Sequence, residues 1–172
     1  MQSISATNGK LKFTPKSDGS SYFYETFACI AASTNGYDAL MFPLKGPAGG
    51  SLTIEIQTST SCSATAYTSW SYTLSGLTGS TQTATIPLSS FNGANLAAIK
   101  AVLWSGFSTG SYELGQTSFV CKSGGGSGSV KPLSMVCYYA SRVVRGLPAD
   151  EKMARFVGNV DFKSRYLQTV AN

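Results

Sequence analysis

Short stretches of alternating apolar and polar residues recur from the start of the chain to about residue 120. In the stretch 51–58, Leu52, Ile54 and Ile56 alternate with polar residues, which is typical of a strand with one buried and one solvated face. Eight such stretches, separated by turn-forming Gly, Asn, Pro and Ser, predict eight strands. The predicted strands are 10–14, 21–27, 38–45, 51–58, 69–74, 81–88, 99–104 and 112–120.

The spacing of these strands predicts an all-β fold, an antiparallel β-sandwich of the jelly-roll kind, over residues 1–121. In the stretches 39–44 and 101–104 the residues on both faces of the predicted strand are apolar. We therefore expect these two strands to be central. Before residue 130 we expect at most one helical turn, at 94–98. Five large side chains are expected in the core, namely Phe13, Phe27, Phe42, Phe119 and Trp104.

The sequence changes character after residue 121. Residues 122–130 are rich in Gly and Ser and predict a flexible linker. Residues 131–172 form a basic tail, with seven Lys or Arg against three acidic residues. Within it, Met153, Phe156, Val157 and Val160 recur at helical spacing, so we expect the tail to be partly helical or disordered.

Composition excludes several classes of chemistry. Only 12% of the residues are charged and none is histidine, which excludes His-assisted nucleophiles and His-ligated metals. The segment 106–110 fits the pattern G-x-S-x-G, but that motif requires a strand-to-helix turn and a histidine partner. The chain is therefore not expected to be an enzyme. A hydrolase that uses carboxylates alone stays open, although no feature of the sequence selects a pair.

Four cysteines show no metal-binding or redox spacing, so disulfides are expected, with three pairings open. Cys29 and Cys62 lie in Ser/Thr/Ala-rich segments and form the candidate pair. A disulfide-bonded domain of this composition points to a secreted, extracellular protein. No signal peptide or membrane span is seen, and the N-terminus is expected to be truncated. The segment 1–130 has no basic patch of the kind that binds nucleic acid. We expect the chain to be a monomer.

Eight stretches of the chain carry a resemblance to a known family, namely residues 3–6, 11–15, 21–29, 46–51, 61–63, 75–79, 86–91 and 101–104. Together they resemble fungal secreted modules with a galactose-binding-like β-sandwich, found alone or appended to polysaccharide (chitin) deacetylases. It covers about residues 2–121, implies a further strand upstream of residue 3, and does not extend past the linker. It implies a non-catalytic role, at the cell wall or outside the cell, in binding polysaccharide of the chitin, chitosan or β-glucan class. Any deacetylase chemistry would then lie in a separate domain.

Exposed aromatic side chains are the natural partners of sugar rings, and acidic groups can orient sugar hydroxyls. The candidate carbohydrate-binding residues are Tyr37, Tyr67, Trp70, Tyr72, Tyr112, Glu25 and Glu113. No cofactor is expected. A structural calcium held by Asp18, Glu25, Asp38 or Glu113 is a minor alternative, because no acidic pair has the spacing of a calcium loop. The competing function is a structural cell-wall or adhesion module without a sugar pocket.

Overall fold

The computed structural model describes residues 1–121, 141–145, 154–159 and 168–171. Strands dominate these residues. They comprise β1 (Ser3–Thr7), β2 (Lys10–Thr14), β3 (Phe23–Ile30), the single-turn helix α1 (Ala32–Asn35), β4 (Tyr37–Lys45), β5 (Leu52–Thr58), β6 (Thr68–Leu74), β7 (Gln82–Pro87), a 3-10 turn (Leu88–Ser90), β8 (Ile99–Ser105), β9 (Tyr112–Leu114), β10 (Ser118–Cys121), β11 (Ser141–Arg145), β12 (Ala154–Asn159) and β13 (Gln168–Ala171).

The strands form two antiparallel sheets. The first has the order β1-β2-β9-β4-β10, with β7 also paired to β4. The second has the order β13-β12-β11-β3-β8-β5-β6. As expected, β4 and β8 are central strands, with neighbours on both sides. The fold is therefore the antiparallel β-sandwich that the alternating pattern predicts.

The core lies between the two sheets, where their inward-facing side chains pack together. Phe42 on β4 packs edge-to-face against Trp104 on β8, with ring centroids 4.7 Å apart, and so joins the two layers. Ile54 and Ile56 from β5 are buried beside them. Four of the five predicted core side chains are buried, and the fifth, Phe27, is partly buried against the same cluster.

Seven of the eight predicted strands are present within two or three residues of the expected bounds, and the eighth is divided into β9 and β10. The division lies opposite Pro43 in β4. The Pro43 carbonyl accepts a hydrogen bond from the Gly115 amide at 2.7 Å, but proline has no N–H to return the bond, so the ladder is interrupted there. Strand β1 was not predicted, and it pairs with β2 at one edge of the first sheet.

The helical spacing in the tail predicts a helix that includes Phe156 and Val157, and the structure corrects this, because it has strand β12 at Ala154–Asn159. Strand β12 lies between β11 and β13, and β11 pairs with β3 at two positions. Aromatic and β-branched residues such as Phe156 and Val157 suit a paired strand as well as a helix, and pairing decides the outcome. The predicted linker at 122–130 lies outside the described residues.

Candidate functional site

A groove of about 280 Å³ opens at one rim of the sandwich, where the loop between β5 and β6 faces the loop before β8. Two aromatic side chains and several hydroxyl and amide groups line it. The lining residues are Thr58, Ser59, Thr60, Ala66, Tyr67, Thr68, Trp70, Gly93 and Asn95. A larger cavity near residues 1 and 18 has no aromatic residue in its described lining, so this groove is the stronger candidate for a site.

The position of β6 explains why Trp70 reaches the groove. On this strand Trp70, Tyr72 and Leu74 share the inward phase and are half-buried, while the intervening polar residues are exposed. Because β6 is the last strand of its sheet, its inward side chains lie at the rim of the sandwich rather than at its centre. The indole N–H of Trp70 donates a 2.9 Å hydrogen bond to Thr58 Oγ1, which fixes the ring in the groove wall.

Tyr67 precedes β6 and is 60% exposed, the largest exposed fraction among the large hydrophobic residues that the structure describes. Its ring lies in the same groove as that of Trp70. Aromatic rings exposed on the loops of a rigid scaffold often contact ligands, because a ligand that covers such a ring removes apolar surface from water. The groove therefore presents two aromatic groups to a ligand.

Gly93 makes room for the Trp70 ring. Its φ is +89°, and a Cβ placed on it would lie 2.6 Å from Trp70 Cζ3. Such a distance is far inside van der Waals contact, so any larger residue would displace the ring. The sequence identifies this glycine only as part of an Asn-Gly turn, and its closeness to Trp70 is visible only in the fold.

We expect Gly93→Ala to lower the free energy of unfolding by about 1 to 3 kcal/mol, because the methyl group overpacks the Trp70 ring and alanine disfavours positive φ. Urea unfolding measures the change. Gly76→Ala is the matched control, since Gly76 has a φ of +71° but no atom near the added Cβ. Equal losses in the two variants would show that backbone strain alone, and not contact with Trp70, accounts for the effect.

The loop between β5 and β6 is fastened to the sandwich at several points. Cys62 forms a disulfide with Cys29 on β3, as the sequence predicts, with a Cα–Cα distance of 5.5 Å. Lys100 Nζ donates to the Cys62 carbonyl. Asn95 Nδ2 donates to the carbonyls of Ser59, at 2.7 Å, and Thr60, at 3.3 Å. These ties hold the groove wall in place before any ligand arrives, which reduces the entropy cost of binding.

Of the described residues that line the groove, none has a charged side chain. The Asn95 amide is already engaged, because its Oδ1 also accepts from the Ala97 amide at 3.2 Å. Within the part of the chain that the structure describes, no hydrogen bond engages the side-chain hydroxyls of Thr60 and Thr68, and both residues are exposed. The groups offered to a ligand are thus aromatic rings and neutral hydroxyls.

Three of the aromatic residues predicted from the sequence lie outside the groove. Tyr72 packs against Phe91 at a centroid distance of 6.3 Å, and Tyr37 packs against Phe119 at 6.1 Å. The expectation that Tyr112 presents its ring to solvent is corrected, because Tyr112 is only 1% exposed. Its hydroxyl donates to backbone carbonyls of the neighbouring loops, and burial raises its pKa. The structure therefore brings together only Tyr67 and Trp70 of the five.

The two acidic candidates also lie away from the groove. Glu25, on the inward phase of β3, is 2% exposed and accepts a 3.0 Å hydrogen bond from Thr117 Oγ1. Glu113 lies on the other sheet and forms ion pairs with Lys12, at 3.3 Å, and Lys10, at 3.7 Å. Among the described residues, no group of three or more acidic or cysteine side chains is arranged to hold a metal ion.

The ion pairs of Glu113 predict a small dependence of stability on pH. Bonding from Lys12, with the charges of Lys12, Lys10 and Lys45, holds the pKa of Glu113 below its usual value. A carboxyl whose pKa is lower in the folded state stabilises that state above its unfolded pKa of about 4.3, and this contribution is lost as the pH falls through the folded pKa.

We expect Glu113→Gln to remove part of the acid-induced loss of stability, as measured by urea midpoints between pH 6 and pH 2. The effect should be small, because the pair is solvated and screened by salt. Glu55→Gln is the control, since Glu55 forms no ion pair among the described residues. An identical pH profile for wild type and Glu113→Gln would contradict a role for these ion pairs.

No family model and no curated protein matches the chain. Among the solved structures that it does match is the crystal structure of a family 30 carbohydrate-binding module, with 14% sequence identity and a TM-score of 0.45, over 65% of this chain and 78% of that one. A likeness of this size does not identify a ligand. No helix among the described residues has the length and apolar character needed to cross a bilayer.

Proposed function

We propose that this chain is a non-catalytic carbohydrate-binding module that holds a polysaccharide of the chitin, chitosan or β-glucan class in the groove of Tyr67 and Trp70. The observation that carries the proposal is the exposed Tyr67 ring beside Trp70 in a groove otherwise lined by hydroxyl, amide and small groups. The C–H face of a sugar packs on an aromatic ring, while its hydroxyls pair with neutral polar groups.

The disulfide supports a role outside the cell. Disulfides form and persist in oxidising compartments, and the Cys29–Cys62 bridge fastens the loop that forms one wall of the groove. The resemblance to fungal secreted modules favours a secreted or cell-wall protein. In this proposal the chain recognises the glycan as a monomer and without a cofactor, and any deacetylation or hydrolysis belongs to another domain. Neither Glu25 nor Glu113 lines the groove, so the site offers neither as a catalytic carboxylate.

Affinity electrophoresis in gels containing chitin derivatives, chitosan or β-glucan tests the proposal. We expect retardation by at least one glycan and a loss of affinity of about tenfold or more in Tyr67→Ala and Trp70→Ala, because both variants remove an aromatic anchor. Tyr67→Ala is the cleaner variant, since Tyr67 is largely exposed and its loss leaves the core intact. Trp70→Ala also requires a check of its thermal unfolding.

Tyr22→Ala is the matched control, because Tyr22 is also exposed, at 39%, but does not line the groove. It should migrate as the wild type does in every gel. The absence of retardation by all glycans would contradict the proposal and favour a structural or adhesion module. Retardation that persists unchanged in both groove variants would place the binding surface elsewhere.

A further inference from the structure

Resting on the proposed function, we infer that the groove selects uncharged sugar residues, such as N-acetylglucosamine or glucose, over residues that carry an ammonium or a carboxylate. The proposed class of glycans contains both kinds, because chitin and β-glucan are neutral whereas chitosan is a polycation. The chemistry of the groove lining separates them.

The first support is the absence of a counter-charge. None of the nine groove-lining residues is charged. The ammonium group of Lys100 donates a hydrogen bond to the carbonyl of Cys62, in the loop between β5 and β6. Glu55 lies on β5 and alternates with the buried residues Ile54 and Ile56. Its side chain therefore projects from the outer face of the sheet, as that of Gln57 does. A charged sugar in the groove would meet no side chain of opposite sign among the described residues that line it.

The second support is the cost of desolvation. Covering a charge with protein without pairing it costs far more than covering a hydroxyl that finds a hydrogen bond. The ring faces of Tyr67 and Trp70 attract a cation only weakly at an exposed site, and this attraction does not replace a lost hydration shell. Neutral sugars avoid the penalty, because the hydroxyls of Thr60 and Thr68 can donate to and accept from sugar hydroxyls.

The test uses pairs of oligosaccharides that are matched in length and differ in charge. The first pair is a chitin oligomer and its deacetylated form, and the second is a β-1,4-glucan oligomer and its form oxidised to a carboxylate at C6. Isothermal titration calorimetry measures both members of each pair on the full chain, at a pH where the amines are protonated. For each pair whose neutral member binds, we expect its charged partner to bind about tenfold more weakly or worse.

Two further experiments separate the effect of the sugar's charge from the effect of its change in shape. Raising the pH until the chitosan amines are neutral should recover affinity for the deacetylated oligomer. Thr68→Glu adds a carboxylate at the rim of the groove, and Thr68→Gln adds a neutral side chain of the same size. The Glu variant should bind the deacetylated oligomer roughly two- to fivefold more tightly than the Gln variant, as expected for one exposed ion pair.

The outcomes separate this inference from the proposed function. If a neutral oligomer binds and its charged partner binds equally well, the selection for uncharged sugars is wrong and the binding function stands. If only a charged member binds, the same conclusion holds. If no oligomer of either pair binds, the proposed function fails and the inference fails with it.

Discussion

Trp104→Ala is expected to lower the free energy of unfolding by about 3 to 5 kcal/mol, the cost of a large cavity in a well-packed core. Trp104 is 0% exposed, lies on the central strand β8 and packs against Phe42 from the other sheet. The loss is a large part of the stability of an ordinary domain, which is about 5 to 15 kcal/mol. Urea unfolding followed by circular dichroism measures the change.

Leu103→Ala is the matched control for this prediction. Leu103 is the preceding residue on the same strand, but it faces the outer side of the sheet and is only half-buried. It should cost about 1 kcal/mol or less. Because successive side chains of a strand point to opposite faces, the contrast between the two variants tests the orientation of β8. Similar losses in both variants would contradict the sandwich described above.

Removing the Cys29–Cys62 bridge with the double substitution Cys29→Ser and Cys62→Ser is expected to cost about 3 to 4 kcal/mol of unfolding free energy, according to the loop-entropy relation. The two cysteines are 33 residues apart in sequence, so the bridge closes a long loop of the unfolded chain. The same change frees the wall of the groove, and affinity for the glycan should fall as well. Chemical unfolding and affinity electrophoresis are the two measurements.

Reduction of the wild-type chain provides an independent route to the same state. Under a reducing agent the wild type should unfold at the same urea midpoint as the double variant under the same reducing conditions. A change in the midpoint of the double variant on reduction would come from the two cysteines that it retains, Cys121 and Cys137. A variant that retains the wild-type midpoint would show that the bridge does not stabilise the fold. Wild-type stability with weakened binding would instead assign the bridge to the groove alone.

Much of the fold was predictable because its signals are local. The alternation of side chains in Leu52–Thr58 reports directly which residues are buried, and the buried positions agree with the pattern. The break between β9 and β10 was not predictable from residues 112–120, because its cause is Pro43 on a neighbouring strand. The spacing of apolar residues in the tail predicts a helix where strand β12 forms, because a short apolar pattern fits both periods and only pairing decides between them.

The candidate site was less accessible to sequence analysis. Tyr67 and Trp70 were among the predicted residues, but so were Tyr112, which is buried, and Glu113, which lies on the other sheet among lysines. A tyrosine beside a loop has the same local sequence signal whether the loop folds over it or away from it. Asn95 and Gly93 were not predicted as site residues, since their role is to hold or admit groups that are distant in sequence.

Residue types and their spacing are enough to predict antiparallel strands with one apolar face, to exclude histidine chemistry and to show that aromatic and hydroxyl groups are plentiful. These properties depend on residue type and on spacing within a single strand. The folded structure was needed to show which aromatic rings reach a surface, that the described lining of the groove is uncharged, and that Cys29 meets Cys62 beside it. Each of these depends on the pairing of segments tens of residues apart, and pairing is set by the packing of the whole sandwich.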